Sequence, residues 1–194
     1  MFTILLDSSN TSLTVGIAKE QELLDSVSYE AWQTQSEYMI PELDKLLNKY
    51  GADYRSISDV VVAIGPGSYT GVRIAITIAK TLHVATGCKI YQISSLRCQK
   101  DRKSPSICII NARSGRSYFG VYEDEKVIVD DCILTNDKVL EYISEHPDFI
   151  VCGIADYLGV KGKEPDIARE LLALKFCSEP IPEPLALKPV YMKD

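Results

Sequence analysis

The residues best placed to do chemistry lie in "AIGPGSYTGVRI", residues 63–74, where Gly65, Pro66, Gly67 and Gly71 sit between two apolar runs. A strand, a glycine loop and a helix in that order can bind phosphate on the backbone N–H groups of the helix N-terminus. The side chains fit neither of two familiar loops. A P-loop has a lysine after its last glycine to reach the outer phosphates, but Val72 and Arg73 follow Gly71; a dinucleotide loop needs a third glycine where Thr70 stands. Gly65 and Gly67 permit a tight or positive-φ turn, Pro66 stiffens it, and Ser68 or Thr70, flanking Tyr69, can cap a helix that begins around Gly71. A structural turn and a ligand-contacting loop are equally compatible with this stretch. Arg73, a cation in the first helical turn, opposes the helix dipole and predicts a carboxylate, carbonyl or anion beside it.

A second candidate is Asp7, which ends the first apolar run and is followed by Ser8 and Ser9 rather than by a glycine that lets phosphate approach closely. It reads as a turn-capping relic of a nucleotide cleft rather than as a catalytic metal ligand. His83 and His146 are the only histidines and lie in unrelated segments, so no metal-ligand spacing exists and no metal site is expected. No serine sits in a Gly-x-Ser-x-Gly elbow, and no catalytic residue is expected.

These residues must be positioned by regular elements. The opening reads as three strands, to Leu6, from Ser12 to Ala18, and after the charged turn "KEQE". A helix is expected from Met39, with Leu43, Leu46 and Leu47 at helical spacing and Pro41 in its first turn or kinking it. Val60 to Ile64 reads as a strand, Val72 to Ala85 as a helix closed by Gly87, and Lys89 to Ile93 as a fifth strand. The pattern then begins again. "CIINARSGRSYFGVYEDEKVIVDD" aligns without a gap on "ILLDSSNTSLTVGIAKEQELLDS", so that Asn111 stands 104 residues after Asp7. Two lobes follow, residues 1–100 and 105–194, joined by the basic run Arg97 to Lys103, read as a solvated linker. The expected fold class is α/β, a two-lobed actin-like ATPase (ASKHA, ribonuclease H-like) architecture. Its second lobe is abbreviated, with only a short helix candidate at Asp166 to Leu174 before a proline-rich tail.

The net charge of −6 and the pI near 5.0 argue against a chain that grips nucleic acid with its own surface. Six cysteines without a Cys-x-x-Cys spacing read as reduced core residues, and no apolar run approaches membrane-spanning length, so a cytoplasmic protein with no membrane contact is expected. The helix from Val72 is apolar around most of its circumference, which implies that a neighbouring helix or a partner protein covers it.

With these residues assembled, the chain resembles the TsaB (YeaZ) family, the non-catalytic partner in bacterial synthesis of N6-threonylcarbamoyladenosine on tRNA, over nearly its whole length. "ILLDSSNTSLTVGI" resembles the family's opening strand pair, "GPGSYTGVRI" its most specific signature, and "INARSGRSYFGVY" the start of its second lobe, while "ISSL" and "PVYMKD" are supporting matches. Gln35 stands where many members have a histidine, and Met192-Lys193 where they have Leu-Arg. The resemblance implies a scaffold that activates a TsaD-like catalytic subunit and recruits a TsaE-like ATPase, acting on tRNAs that read codons beginning with A. It implies no cofactor on this chain, ATP and a metal on the partner subunits, tRNA contacted only indirectly, and a homodimer when the chain is alone. By the same analogy the partner interface lies on the first-lobe helices, through Met39, Leu43, Leu46, Val72, Arg73, Ile76, Ala79, Lys80 and His83. Asp7, Ser8 and Asn111 would mark a vestigial nucleotide cleft. The alternative, drawn from the two-lobe repeat, is a small ATP-dependent phosphotransferase using Asp7 and Asn111 across that cleft.

Overall fold

A computed structural model of the chain describes residues 1–192. The first sheet is formed by β1 (Phe2–Asp7), β2 (Ser12–Lys19), β3 (Glu22–Glu30), β4 (Ile57–Ala63) and β5 (Lys89–Ile93), in the order β3-β2-β1-β4-β5. The first three strands pair antiparallel, while β4 and β5 extend the sheet in parallel. Strands buried on both faces need continuous apolar runs, and β1 and β4 have them. Their alternate residues point to opposite layers. Ile4, Leu6, Val60 and Val62 meet α1 (Gln35–Lys49) and α2 (Tyr69–Thr86), whereas Leu5, Val61 and Ala63 meet α4 (Ile167–Lys175).

Helix α1 begins four residues earlier than its apolar spacing indicates, so Pro41 lies in the second turn, where it removes the N–H that would bond to the Glu37 carbonyl. Helix α2 begins at Tyr69. Ser68 is its N-cap, accepting the Gly71 N–H at 3.2 Å, and Gly87 at φ 74° ends it in the left-handed region.

The second sheet repeats the plan with β6 (Ser106–Arg113), β7 (Arg116–Glu123) and β8 (Lys126–Thr135), followed by α3 (Asn136–Glu145) and β9 (Ile150–Cys152), in the order β8-β7-β6-β9. The strand bounds follow the ungapped repeat, but the register does not. Asp7 faces Thr14 in the first lobe, and the repeat would put Tyr118 opposite Asn111; Ser117 stands there instead, with an irregularity between Asn111 and Arg113 that leads into a tight hairpin at Ser114 and Gly115.

Residues 105–194 are not a self-contained half. Helix α4 crosses onto the first sheet, where Leu171 and Leu174 join Leu5 and Val61. The basic run before β6 is no solvated linker either. Lys100 lies 3.2 Å from the carboxylate of Glu170 on α4, a residue 2% exposed, and Arg102 pairs with the same carboxylate. These charges are drawn inward because a buried Glu needs cations beside it. The tail follows α4 back to the first lobe. Ile181 donates its N–H to the Ile90 carbonyl, Leu187 enters the first core, and Val190 donates to the Ile64 carbonyl at 2.8 Å. The lobes are joined by Leu96, which packs among Ile110, Tyr122 and Cys152, and by Ser94, which donates to Asp131 at 2.5 Å. Tyr122 donates to the same carboxylate, and burial together with that neighbouring charge pushes its phenol far up.

Candidate functional site

The glycine loop is packed on protein backbone. Ser68 donates its N–H to the Ser9 carbonyl at 2.7 Å, and the Ser8 hydroxyl donates to the Gly71 carbonyl at 2.7 Å. A side chain at Gly67 would place its Cβ 2.2 Å from the Ser9 carbonyl oxygen, and one at Gly71 would lie 1.9 Å from that of Ser8. Gly65, at φ 106° and linked to Pro66 by a cis peptide, leaves room for the carbonyl of Val190 from the tail. The loop therefore clamps the turn after β1 on one side and the C-terminal segment on the other. That close approach accounts for Gly65, Gly67 and Gly71 without a phosphate.

Among the described residues, Arg73 is paired with neither the carboxylate, the carbonyl nor the anion that its position predicts. Its Nε donates to the Tyr191 hydroxyl at 2.7 Å, and its guanidinium lies 4.0 Å from the centroid of the Tyr69 ring. Tyr69 and Tyr191 stack at 5.0 Å. An aromatic pair thus satisfies the cation through a phenol oxygen and two ring faces. Sequence reasoning missed Tyr191, because 118 residues separate it from its partner.

The helix residues assigned to a partner divide by face. Met39, Leu43, Leu46, Val72, Ile76 and Ala79 are all buried in the chain's own first core, because the sheet lies beneath both helices. They are unavailable as contact side chains. His83 is half-buried, its Nδ1 2.7 Å from the Cys88 carbonyl, and Lys80 is half-buried. The exposed stripe of α2 runs instead through Thr70, Arg73, Thr77, Thr81 and Val84, and Ile40 of α1 is also exposed. A helix apolar nearly all round does not reveal which stripe faces the sheet.

Asp7 is buried and its Oδ1 accepts the Ser9 N–H at 2.9 Å, a turn-capping bond. Burial holds its carboxyl above the ordinary value of 3.8, with bonds from Ser9 opposing the shift. Asn111 caps its own turn likewise, accepting the Arg113 N–H at 2.8 Å. The two residues line different cavities. Asp7 opens into one of about 260 Å³ between the first turn and Gly153, together with Asp156 and Glu164. Asn111 lines a cleft of about 790 Å³ that runs from the glycine loop and the start of α1 to the hairpin of the second sheet. Ser8 is fully buried beneath the loop. Asp7 and Asn111 thus do not line the same cavity, although Ser9 and Asn10 border both. Among the described residues no group of three His, Cys, Asp or Glu side chains is placed to hold a metal, and no helix is long and apolar enough to cross a membrane.

Residues 28–148, more than half of the chain, match the family described as TsaD, tRNA N6-adenosine threonylcarbamoyltransferase. The tRNA threonylcarbamoyladenosine biosynthesis protein TsaB of Bacillus subtilis is 29% identical over 180 residues, covering 84% of this chain and 79% of that protein. An uncharacterised protein of Mycoplasma genitalium, MG208, is 28% identical across 100% of this chain and 95% of its own length. The structure of YeaZ from Pseudomonas aeruginosa superimposes with a TM-score of 0.81 at 21% identity, covering 98% of this chain and 99% of that one. It has the same α/β, two-lobed actin-like fold, and the mutual coverage means that the short second lobe is common to both. Lys193 and Asp194, the last two residues of the "PVYMKD" motif, lie outside the described residues.

Proposed function

The chain belongs to the tRNA N6-adenosine threonylcarbamoyltransferase (TsaD) family and, within it, to the TsaB (YeaZ) branch, and from that premise we propose that it is a non-catalytic scaffold for threonylcarbamoylation of tRNA adenosine. It docks a TsaD-like catalytic subunit in the cytoplasm through the outer face of α1 and α2. The observation that carries this reading is the stripe of α2 built from Thr70, Thr77, Thr81 and Val84. These are small or β-branched side chains, and Arg73 is the one full charge among them. Val84 is 71% exposed there. A surface helix with no partner normally carries a charged outer face, whereas depletion of charge together with nearby aromatic and Arg anchors marks an interface. The Tyr69–Arg73–Tyr191 cluster supplies such anchors.

On this reading ATP and the metal reside on the partner subunits, a TsaE-like ATPase joins the complex, and the free chain uses the same face to pair with itself. The reading is tested by mixing the purified chain with the TsaD-like protein of the same organism and following mass by size exclusion with light scattering, with and without ATP. A stable heterodimer supports it. Two species that elute separately under both conditions overturn it.

A further inference from the structure

The cleft of about 790 Å³ beside the glycine loop has a lining unlike the rest of the molecule. The chain has 27 acidic residues, yet no carboxylate is found among the described residues that line this cleft, and Arg113 is its one charged side chain. Trp32, the single tryptophan, and Tyr69 both line it, 43% and 57% exposed. From the second lobe, Arg113 reaches over Trp32 with its guanidinium 5.6 Å from the ring centroid. The polar lining includes the amide residues Asn10, Gln33, Gln35 and Asn111 together with several serines and threonines. Gln33 and Arg113 also hold the left-handed backbone, at φ 66° and 64°. Non-glycine residues persist in that region at a cost, and such strain collects at binding sites.

We propose that this cleft takes a nucleotide presented by single-stranded RNA. This inference rests on the reading above in one respect, that tRNA is at hand to supply an unpaired nucleotide. The base stacks on the exposed face of Trp32, the amides meet its polar edge, and Arg113 meets its phosphate. Exposed aromatic faces with an arginine beside them are how proteins hold unstacked bases, and a base whose edge is read by amides must be free of its pairing partner. The net charge of −6 keeps the phosphate backbone away from the remaining surface, so the contact is local and few phosphates are neutralised.

The single tryptophan makes the test direct. The full chain is titrated at low salt with single-stranded octa-adenylate and, separately, with AMP, while Trp32 emission is followed. The expected result is saturable quenching by the octamer, about tenfold tighter than by AMP because neighbouring bases find further aromatic surface. Arg113→Glu, a change at an exposed residue, weakens octamer binding about tenfold, and the salt dependence has the slope of roughly one phosphate contact. Calorimetry with Trp32→Ala provides a second readout in which the heat of octamer binding is lost. No quenching by the octamer, or quenching indifferent to Arg113→Glu, overturns the site. Equal affinity for AMP and octamer overturns the assignment to RNA. A chain that binds its TsaD-like partner while Trp32 stays silent leaves the scaffold reading standing and removes this one.

Discussion

The two sheets are built from stretches of sequence that match without a gap, yet they are covered differently. The first has α1 and α2 on one face and α4 on the other; the second has α3 on one face and uses its other face to seat the linker residue Leu96. The helix that would thicken the second lobe has been placed on the first, fixed there by Glu170 with Lys100 and Arg102. The lesson is that similar strands do not give lobes of similar sturdiness. The first sheet is buried on both faces, and it carries α1 and α2, the helices proposed above to dock a partner.

Core truncations should show the largest difference between the lobes. Leu171→Ala on α4, fully buried against the first sheet, should cost ~4 kcal/mol through lost burial and a cavity, whereas Val139→Ala on α3, equally buried in the second lobe, should cost about 2 kcal/mol. Urea denaturation of both variants checks this. Comparable midpoints would mean that α4 is no more structural than α3.

The turns provide the next comparison. Gly71→Ala drives a Cβ into the Ser8 carbonyl and should cost ~3 kcal/mol, while Gly115→Ala, in open space at φ 72°, carries only the left-handed strain of about 1 kcal/mol. Thermal melts of the two proteins separate the effects, and a mild Gly71→Ala would show that the clamp on the first turn yields easily.

Asp7 and Asn111 differ in burial, and the sign of a titration effect follows. Because burial raises the folded-state value of Asp7 above 3.8, its ionised form opposes folding. Stability associated with this group is present below 3.8 and lost as pH rises through the raised folded value. Asp7→Asn, which keeps the acceptor for Ser9, should therefore stabilise the protein at pH 7, with the gain disappearing as pH falls to 3.8 and below. Asn111→Asp, at an exposed position, should show no such gain. Unfolding midpoints measured across pH decide the matter, and an Asp7→Asn variant less stable than the parent at pH 7 would contradict the assignment of burial as the dominant cause. The smallest expected change is Tyr191→Phe, which removes the hydroxyl that accepts from Arg73 and should cost about 1 kcal/mol or less.

Much of the fold was legible because it rests on local signals. The apolar runs of β1 and β4, the Ser68 cap, the Gly87 stop and the repeat of strand bounds are written in spacing that neighbouring residues impose on one another. What was not legible depended on distant placement. Nothing in "IARELLALK" says which sheet it covers, and the all-round apolar character of α2 hides which stripe is inside. The start of α1 was missed because Gln35 to Tyr38 lacks the apolar spacing that marks the rest of the helix, although its turn is closed by Glu37 donating to Thr34. The glycine loop was legible as a loop but not in its purpose. Its contacts are with Ser8, Ser9 and Val190, far away in the chain, and no local pattern distinguishes a glycine that admits backbone from one that admits phosphate.

On the proposal above, the outer stripe of α2, rather than any face of the second sheet, docks the TsaD-like subunit. This docking is tested most directly by comparing Thr77→Arg with Ile128→Arg, two exposed positions in different lobes where stability should change by no more than ~0.5 kcal/mol. Each variant is mixed with the TsaD-like protein and its complex weighed by light scattering. The predicted result is that Thr77→Arg stays folded but no longer forms the heterodimer, while Ile128→Arg forms it as the parent does. A heterodimer retained by Thr77→Arg and lost by Ile128→Arg would contradict the account.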